Sequence, residues 1–326
     1  AGSLMKKIRP DFFTASRTRS LGGSTNTWDG VIRPMDEHDF ESWPITRNAL
    51  RFYYEEVMQI LGLGYFDWFD EADRWKDLTA LEIGVIELPP DSFMKTVVIQ
   101  QQTDLDLIEF RTNFNSLFEK HDNLTLIRNA TATDIDIDYS RGIEISNLYC
   151  CPLDKVTKSP LEYFSIRAEH YVLAMGGLEI PRFLKHQFQK HQLSYRMLGR
   201  NYSNHPRYKV CGYARNVQRI DPLVKTFYNG SIPLKTNETI KVTPYLVPVL
   251  LGMKRYRTRN FRIKLDMMNE STIFFEIEFE QSQNSESKLD IDFSEMDKLG
   301  IPRLVLDWNF SSQDARTLNG AIEMVR

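Results

Sequence analysis

Apolar residues recur every three or four positions in two stretches of the chain, which is the period of an amphipathic helix. The first stretch covers residues 46–61, where Thr46 stands at a capping position. The second covers residues 104–120. Between them, residues 63–90 are rich in aromatic side chains and follow no regular period. We interpret residues 63–90 as an irregular, lid-like excursion between two helices.

Strands are predicted in the middle of the chain, where apolar and polar residues alternate and would point to opposite faces. Residues 124–127 are apolar at Leu124, Leu126 and Ile127 and predict a short buried strand. A half-exposed strand is predicted at residues 134–138, and residues 143–149 and 163–167 are predicted to extend this β-region.

A second region of alternation follows residue 206 and predicts an antiparallel sheet with one solvated face. Its strands are predicted at residues 273–280, 289–293 and 304–306. A final helix is expected to begin near Ser312.

Residues 171–175, YVLAM, form a nearly continuous apolar run that leads directly into Gly176 and Gly177. Such a run predicts a strand covered on both faces, and a helix with Pro181 near its start should follow. Glycines allow a phosphate group to approach the backbone, and a helix N-terminus offers free N–H groups. Judged by residue type alone, this unit is equally well a dinucleotide contact or a tight turn without a ligand.

Charge and hydropathy exclude two classes of partner. The net charge is −3, so the chain as a whole has no field that attracts nucleic acid. Residues 254–264, KRYRTRNFRIK, interleave basic and aromatic side chains, a pattern of nucleic-acid binding, but we interpret them as a solvated stretch. Apolar runs such as residues 245–253 are too short to span a bilayer.

The three cysteines, Cys150, Cys151 and Cys211, are too few for a disulfide scaffold, and we expect buried thiols. The sequence contains N-x-S/T sequons, but a chain rich in Asn, Ser and Thr produces such triplets by chance. No secretory signal is visible in the sequence. That absence says little about the full gene product, and from the cysteine usage we expect a reducing, cytoplasmic setting.

Residues 17–45 combine a diglycine, small hydrogen-bonding side chains and a large aromatic. Gly22 and Gly23 lack a Cβ and let the backbone approach a ligand closely. Ser24 and Asn26 offer hydrogen-bonding groups, and Trp28 offers a flat apolar surface. The combination suits a bulky planar ligand, and a plain surface turn is the alternative.

Four segments, in the same order along the chain, resemble the glucose-methanol-choline (GMC) oxidoreductases. LGGSTNTWDG (residues 21–30) resembles the flavin-contacting loop of that family, and YVLAMGGLEIPRFL (171–184) resembles a strand followed by a helix start. GRNYSNHPR (199–207) resembles the GR-x-φ-x-D-H-P segment, and residues 280–314 resemble a segment of the substrate domain.

The resemblance implies an α/β (α+β) fold and an activity. Residues 1–30 and 105–205 would form part of an FAD-binding Rossmann-like domain, residues 31–104 a helical and irregular lid-like segment, and residues 206–326 an antiparallel-sheet substrate domain. The implied reaction oxidises a CH–OH group of a small-molecule alcohol or sugar by hydride transfer to the flavin. The substrate and the electron acceptor stay open.

Nine residues match positions that contact FAD in the family, and no metal ligand is implied. They are Gly22, Gly23, Ser24, Asn26, Trp28, Ala132, Ala174, Gly176 and Gly177. Some relatives attach the flavin covalently through a histidine of the loop. Asn26 and Thr27 stand at those positions here, so the resemblance implies FAD that is bound non-covalently.

Two hallmarks of the family are missing from the sequence. No strand–GxGxxG–helix is found, and the catalytic histidine of the family is expected beyond Arg326. We therefore expect a chain cut at both ends, which alone binds FAD weakly or not at all. His205 matches the D-H-P histidine, but Asn204 replaces the aspartate, and we favour a local hydrogen-bonding role for His205. The alternative function is a non-catalytic remnant that serves as a binding module.

Overall fold

The computed structural model describes residues 17–63, 91–102, 120–140, 142–212, 232–233, 240–269 and 272–325. Its α-helices are α1 (Arg51–Ile60), α2 (Gly176–Lys190), α3 (Leu250–Tyr256) and α4 (Ser312–Val325). Short 3-10 helices cover Gly23–Asn26, Glu37–Ser42 and Asn48–Leu50. The strands are β1 (Val31–Ile32), β2 (Met94–Gln102), β3 (Ala130–Asp138), β4 (Glu144–Pro152), β5 (Phe164–Ile166), β6 (Arg207–Gly212), β7 (Ile232–Pro233), β8 (Ile240–Pro248), β9 (Phe261–Asn269), β10 (Thr272–Phe279), β11 (Lys288–Met296) and β12 (Pro302–Asp307).

The described residues form a mixed α+β structure whose strand pairs are all antiparallel. The chain divides into two compact units, the first from residues 1–125, 206–279 and 316–326, and the second from residues 126–205 and 280–315. The predicted substrate domain, residues 206–326, is thus shared between both units. The predicted lid-like residues 64–90 and most of the predicted helix, residues 104–119, lie outside the described residues.

The first unit contains an antiparallel sheet in the order β1-β2-β8-β9-β10-β6, with β7 paired to β8. Ile263 and Ile277 are directly opposite each other in β9 and β10, and both are completely buried. On the other face of the same strands, Glu278 accepts a bond from Arg262 at 2.9 Å and pairs with Arg207 at 2.7 Å. The strands thus carry apolar residues on one face and ion pairs on the other, as the alternation predicts, but the ion-paired Glu278 is only 13% exposed.

The predicted helix at residues 46–61 is present as a 3-10 turn followed by α1. Thr46 caps this start, because its Oγ1 accepts a bond from the amide of Ala49 at 3.2 Å. Met58 is buried against Ile32 and Tyr54, but Tyr53 and Val57 of the same apolar spacing are 60% and 46% exposed.

Helix α2 is the centre of the second unit, where it packs against both the β3-β4-β5 sheet and the β11-β12 ladder. Gln187 is completely buried and ties the helix to β3. Its Nε2 donates to the carbonyl of Thr133 and its Oε1 accepts from the amide of Ile135, each at 3.2 Å. A buried amide that satisfies a strand edge in this way fixes the register of helix on sheet.

Two strand predictions are wrong. Residues 124–127 are not a strand, and Leu124 and Ile127 are 47% and 49% exposed. The run Tyr171–Met175 precedes α2 without joining a sheet, and Val172 is 87% exposed. An apolar run records a tendency to be buried, but a strand also needs a neighbour to accept its hydrogen bonds. No strand among the described residues pairs with either run.

A third difference concerns the sheet predicted after residue 206. Strand β10 belongs to the sheet of the first unit, whereas β11 and β12 pair only with each other among the described strands. Alternation identified all three strands correctly, but it carries no information about which strands share a sheet.

Two other predictions are confirmed. Cys150 and Cys151 are buried free thiols, and burial raises the pKa of the Cys150 thiol, whereas the burial of Cys211 lies outside what the structure describes. The last helix begins at Ser312 behind a capping box: the amide of Asp314 donates to Ser311 Oγ, and the amide of Ser311 donates to Asp314 Oδ2.

Candidate functional site

The diglycine loop at residues 20–27 is a compact turn that depends on its glycines. Gly22 and Gly23 have φ angles of 85° and 55°, in the left-handed region that favours glycine. The amide of Gly23 donates to the carbonyl of Ser20 at 2.9 Å, and Thr25 Oγ1 donates to the carbonyl of Gly22 at 2.6 Å. The loop therefore holds its own shape.

Within this loop, Asn26 braces the backbone. Its Nδ2 donates to the carbonyl of Leu21 at 2.6 Å and to Ser20 Oγ at 3.2 Å. Ser24 at the tip is exposed, and Trp28 is half-buried. Of the predicted flavin contacts in the loop, Ser24 is thus presented to solvent, while the side-chain amide of Asn26 is directed back into its own turn.

The end of the loop is anchored to the sheet of the first unit. Gly30 is buried with a φ of 64°, and its carbonyl accepts the amide of Gln102 at 3.0 Å. The side-chain amide of Gln101 donates to the carbonyl of Asp29 at 2.8 Å. This attachment positions the diglycine loop at the edge where β1 meets β2.

The other predicted contacts lie at two places in the second unit. Ala132 is half-buried in β3, opposite Cys150 of β4. Ala174, Gly176 and Gly177 are all exposed at the start of α2. Gly176 has a φ of 81°, and a Cβ added to either glycine would meet no atom within 4 Å. The helix start is therefore open enough for a group to approach its amides.

The nine predicted cofactor residues are divided between the two units. Gly22, Gly23, Ser24, Asn26 and Trp28 belong to the first unit, and Ala132, Ala174, Gly176 and Gly177 belong to the second. The structure relates these nine residues to one another only within each unit, so a shared FAD site stays a prediction.

His205 lies in an exposed, irregular segment. Its amide donates to Asn204 Oδ1 at 2.8 Å, and the amide of Asn204 donates to Gln281 Oε1 at 2.9 Å. The asparagine that replaces the family's aspartate therefore organises the local backbone.

A cluster that we did not predict lies in the first unit at Asp36, His38 and Asp39, whose potential ligand atoms are all within 4.8 Å of one another. Each is already held by the protein: Arg33 donates to Asp36 at 2.7 Å, and Asn260 bonds both His38, at 2.8 Å, and Asp39, at 2.5 Å. The cluster is therefore a closed hydrogen-bond network as it stands. The run DEHDFE at residues 36–41 was the sequence signal for it.

An open cavity of about 600 Å³ is lined in part by this network. Phe40, Val249 and Leu250 contribute apolar surface, and Glu37, Glu41 and Lys95 contribute charges of both signs. Mixed charge around an apolar floor can accept a polar organic molecule but does not favour one sign of ligand charge.

The ionisation of Asp36 is set by opposing effects. Burial raises its pKa, but Arg33, Lys95 and His38 together outweigh burial and hold the pKa below its ordinary value. Asp36 therefore contributes stability above the pKa that it has in the unfolded chain, about 3.9. That contribution is lost as the pH falls through the lower, folded-state pKa.

Replacing Arg33 by methionine should lower the free energy of unfolding by about 1–3 kcal/mol at pH 7, because a half-buried carboxylate loses its charged donor. Without Arg33, less would oppose the effect of burial on the Asp36 pKa. The folded-state pKa should therefore rise, and acid unfolding should begin at a higher pH. Chemical denaturation between pH 3 and pH 7 measures both effects. Lys95→Met is the matched control, since Lys95 is 3.7 Å from the same carboxylate and 45% exposed, and should change little.

Two cations of the basic run at residues 254–264 lie over aromatic rings of the first unit. Arg255 lies over the ring of Phe93 at 5.3 Å, and Arg262 lies over the ring of Tyr245 at 4.9 Å while it pairs with Glu278. Cations engaged by rings and carboxylates offer less charge to a phosphate backbone.

None of the described helices combines the length and apolar character needed to cross a membrane. No model of a known protein family matches the chain, and no curated protein matches it either.

Proposed function

We propose that the protein is an FAD-dependent oxidoreductase of the GMC type, which acts on a CH–OH group of an alcohol or a sugar. The observation that carries the proposal is that segments with a resemblance to this family hydrogen-bond one another within the second unit. Such contacts are what a fold shared with that family would require.

The first of these contacts joins residues 171–184 to the DKLGIP turn at residues 297–302. Arg182 Nη2 donates to Asp297 Oδ2 at 2.7 Å and to the carbonyl of Ile301 at 3.1 Å. Its Nε donates to the carbonyl of Pro302 at 2.7 Å. The arginine of one family-like segment thus holds the turn of another.

The second contact joins residues 199–202 to residues 285–289. The amide of Leu289 donates to the carbonyl of Gly199 at 2.7 Å, and Arg200 Nη1 donates to the carbonyl of Ser285 at 3.0 Å. Ser287 Oγ donates to the carbonyl of Tyr202 at 2.7 Å. Three of the four family-like segments are therefore parts of one packed unit.

The start of α2 fits the cofactor on an observation independent of the resemblance. Gly176 and Gly177 face open space, and the side chain of Met175 at the N-cap position makes no capping hydrogen bond. The amides of this turn would bind a pyrophosphate, with Ala174 beside it. Glu179 in the same turn is paired with Arg182 at 3.2 Å, which offsets its repulsion of an anion. FAD, when bound, supplies the two-electron acceptor for alcohol oxidation.

The alternative, a non-catalytic binding module, is favoured by the run Tyr171–Met175. In the family this run is a strand beside the dinucleotide, whereas here it joins no sheet of the described residues. Bound flavin that is reduced by an alcohol distinguishes the enzyme from this alternative.

We expect the gene product that contains this sequence to purify with FAD, which acid precipitation should release because no covalent link is expected. Gly177→Ala should reduce the FAD bound per protein, since a methyl group would occupy the approach to the helix amides. In the absence of FAD the same change should be neutral or stabilise α2 by about 0.5 kcal/mol. Flavin absorbance and thermal unfolding measure these two effects separately.

Gly142→Ala is the control for FAD content only, because Gly142 is also in open space but belongs to the turn between β3 and β4, and its φ of 128° makes an alanine there strained. It should leave the FAD content unchanged. A protein that neither carries nor takes up FAD, or a flavin that no alcohol or sugar reduces under anaerobic conditions, would contradict the proposal.

A further inference from the structure

N-x-S/T sequons are more frequent in this chain than its composition explains. Ser and Thr make up 41 of the 326 residues, and 17 residues are asparagine. At that frequency about two asparagines would begin a sequon by chance. Seven do: Asn123, Asn129, Asn201, Asn229, Asn237, Asn269 and Asn309. The number of sequons exceeds the chance number, so the expectation that they arise by chance is wrong.

The structure distinguishes among these asparagines. Asn123 and Asn129 both lie in residues 121–129, an irregular stretch in which every residue is exposed. Asn129 has a φ of 57°, which places it at the turn into β3. Asn309, in contrast, uses its Nδ2 to donate to the carbonyl of Glu286 and to Asp307 Oδ1, both at 2.9 Å. Its amide nitrogen is therefore occupied in the folded chain.

The same stretch carries apolar side chains that lie in solvent. Leu124, Leu126 and Ile127 are 47%, 37% and 49% exposed. Exposed apolar runs favour aggregation unless something covers them. A sequon stands at each end of this run, so a large hydrophilic group on either asparagine would shield it.

We propose that Asn123 and Asn129 are N-glycosylated and that the attached sugars cover the apolar run between them. In this reaction the side-chain Nδ2 forms a bond to C1 of an oligosaccharide carried by a lipid pyrophosphate. The C1–O bond to the phosphate breaks, the lipid pyrophosphate leaves and the amide loses one proton, without a change in oxidation state. The protein would thus pass through a glycosylating compartment, in contrast to the cytoplasmic setting expected from the sequence.

Protein purified from its native cells or culture medium provides the direct test. Treatment with peptide N-glycosidase in ¹⁸O-water converts each glycosylated asparagine to labelled aspartate, which peptide mass spectrometry locates. We expect the label at Asn123 and Asn129 and none at Asn309. Unlabelled Asn123 and Asn129 in the native protein overturn the proposal, and a label at only one overturns it for the other.

A pair of variants separates the sequon from the fold. In a secreting host, Thr125→Val should remove one glycan and so increase electrophoretic mobility by one step, while Thr125→Ser should keep it. Asn129→Asp should remove the second glycan, since aspartate has no amide nitrogen, and it should keep the fold, since aspartate tolerates the same backbone conformation. The enzymatically deglycosylated protein should aggregate at a lower concentration than the glycosylated one. Equal mobility of the two Thr125 variants would refute glycosylation at Asn123.

Discussion

Replacing Gly199 by alanine should lower the free energy of unfolding of the second unit by roughly 2–5 kcal/mol. Gly199 has a φ of 77°, and a Cβ there would lie 2.5 Å from the carbonyl oxygen of Leu289 and 2.8 Å from Lys185 Cε. The lysine chain can move, but the carbonyl is part of β11 and cannot. Denaturant unfolding of the variant and the parent protein measures the loss.

Gly300→Ala is the matched control for this prediction. Gly300 has a similar φ of 73°, but nothing lies within 4 Å of its Cβ position. The free energy of unfolding of this variant should fall by only about 1–2 kcal/mol, which is the cost of placing an alanine in the left-handed region. Equal losses in the two variants would mean that residues 199 and 289 are not packed as described. The difference between them measures the clash alone.

Arg182→Leu is expected to cost roughly 2–4 kcal/mol, because it removes the charged donor that joins α2 to the turn at residues 297–302. Arg182 is 12% exposed, so leucine can occupy much of the same space without its hydrogen bonds. Asp297 is 31% exposed and can regain water, which keeps the loss below that of a fully buried pair. Arg303→Leu should cost less than about 1 kcal/mol, since Arg303 and Glu295 form an exposed pair.

The Arg182 prediction also has a pH signature. Burial raises the pKa of Asp297, but the bonds from Arg182 and from the amides of Ile301 and Leu299 bring it below its ordinary value. The carboxylate therefore stabilises the fold above its unfolded-state pKa, and this stability is lost as the pH falls through the folded-state pKa. The difference in the free energy of unfolding between variant and parent should be largest near pH 7 and should become smaller in acid. A gap that is the same at all pH values would mean that the pair contributes nothing through its charge.

Local chemistry makes several elements predictable from short stretches of the sequence. Thr46, Ser311 and Asp314 cap helices by direct hydrogen bonds to nearby amides, and such bonds need only a few neighbouring residues. Strand β10 is predictable because one face is apolar and the other carries charge. The left-handed turn at Gly22 and Gly23 likewise follows from the absence of a Cβ.

Other features depend on residues far apart in the sequence. The network at Asp36 needs Asn260, and the cavity needs Leu250 beside Glu37, so neither could be found by reading one segment. The run Tyr171–Met175 shows the converse: its pattern is that of a buried strand, but no described strand pairs with it.

Patterns along the chain thus set the type of most described elements, their caps and their turns, because these depend on contacts over a few residues. Only the folded arrangement decided which strands share a sheet, that Arg182 holds the turn at Asp297, and that Asn123 is exposed while Asn309 is engaged. The reason is physical. Strand pairing and burial depend on contacts between residues that are far apart in the sequence, whereas a pattern along the chain describes only one segment.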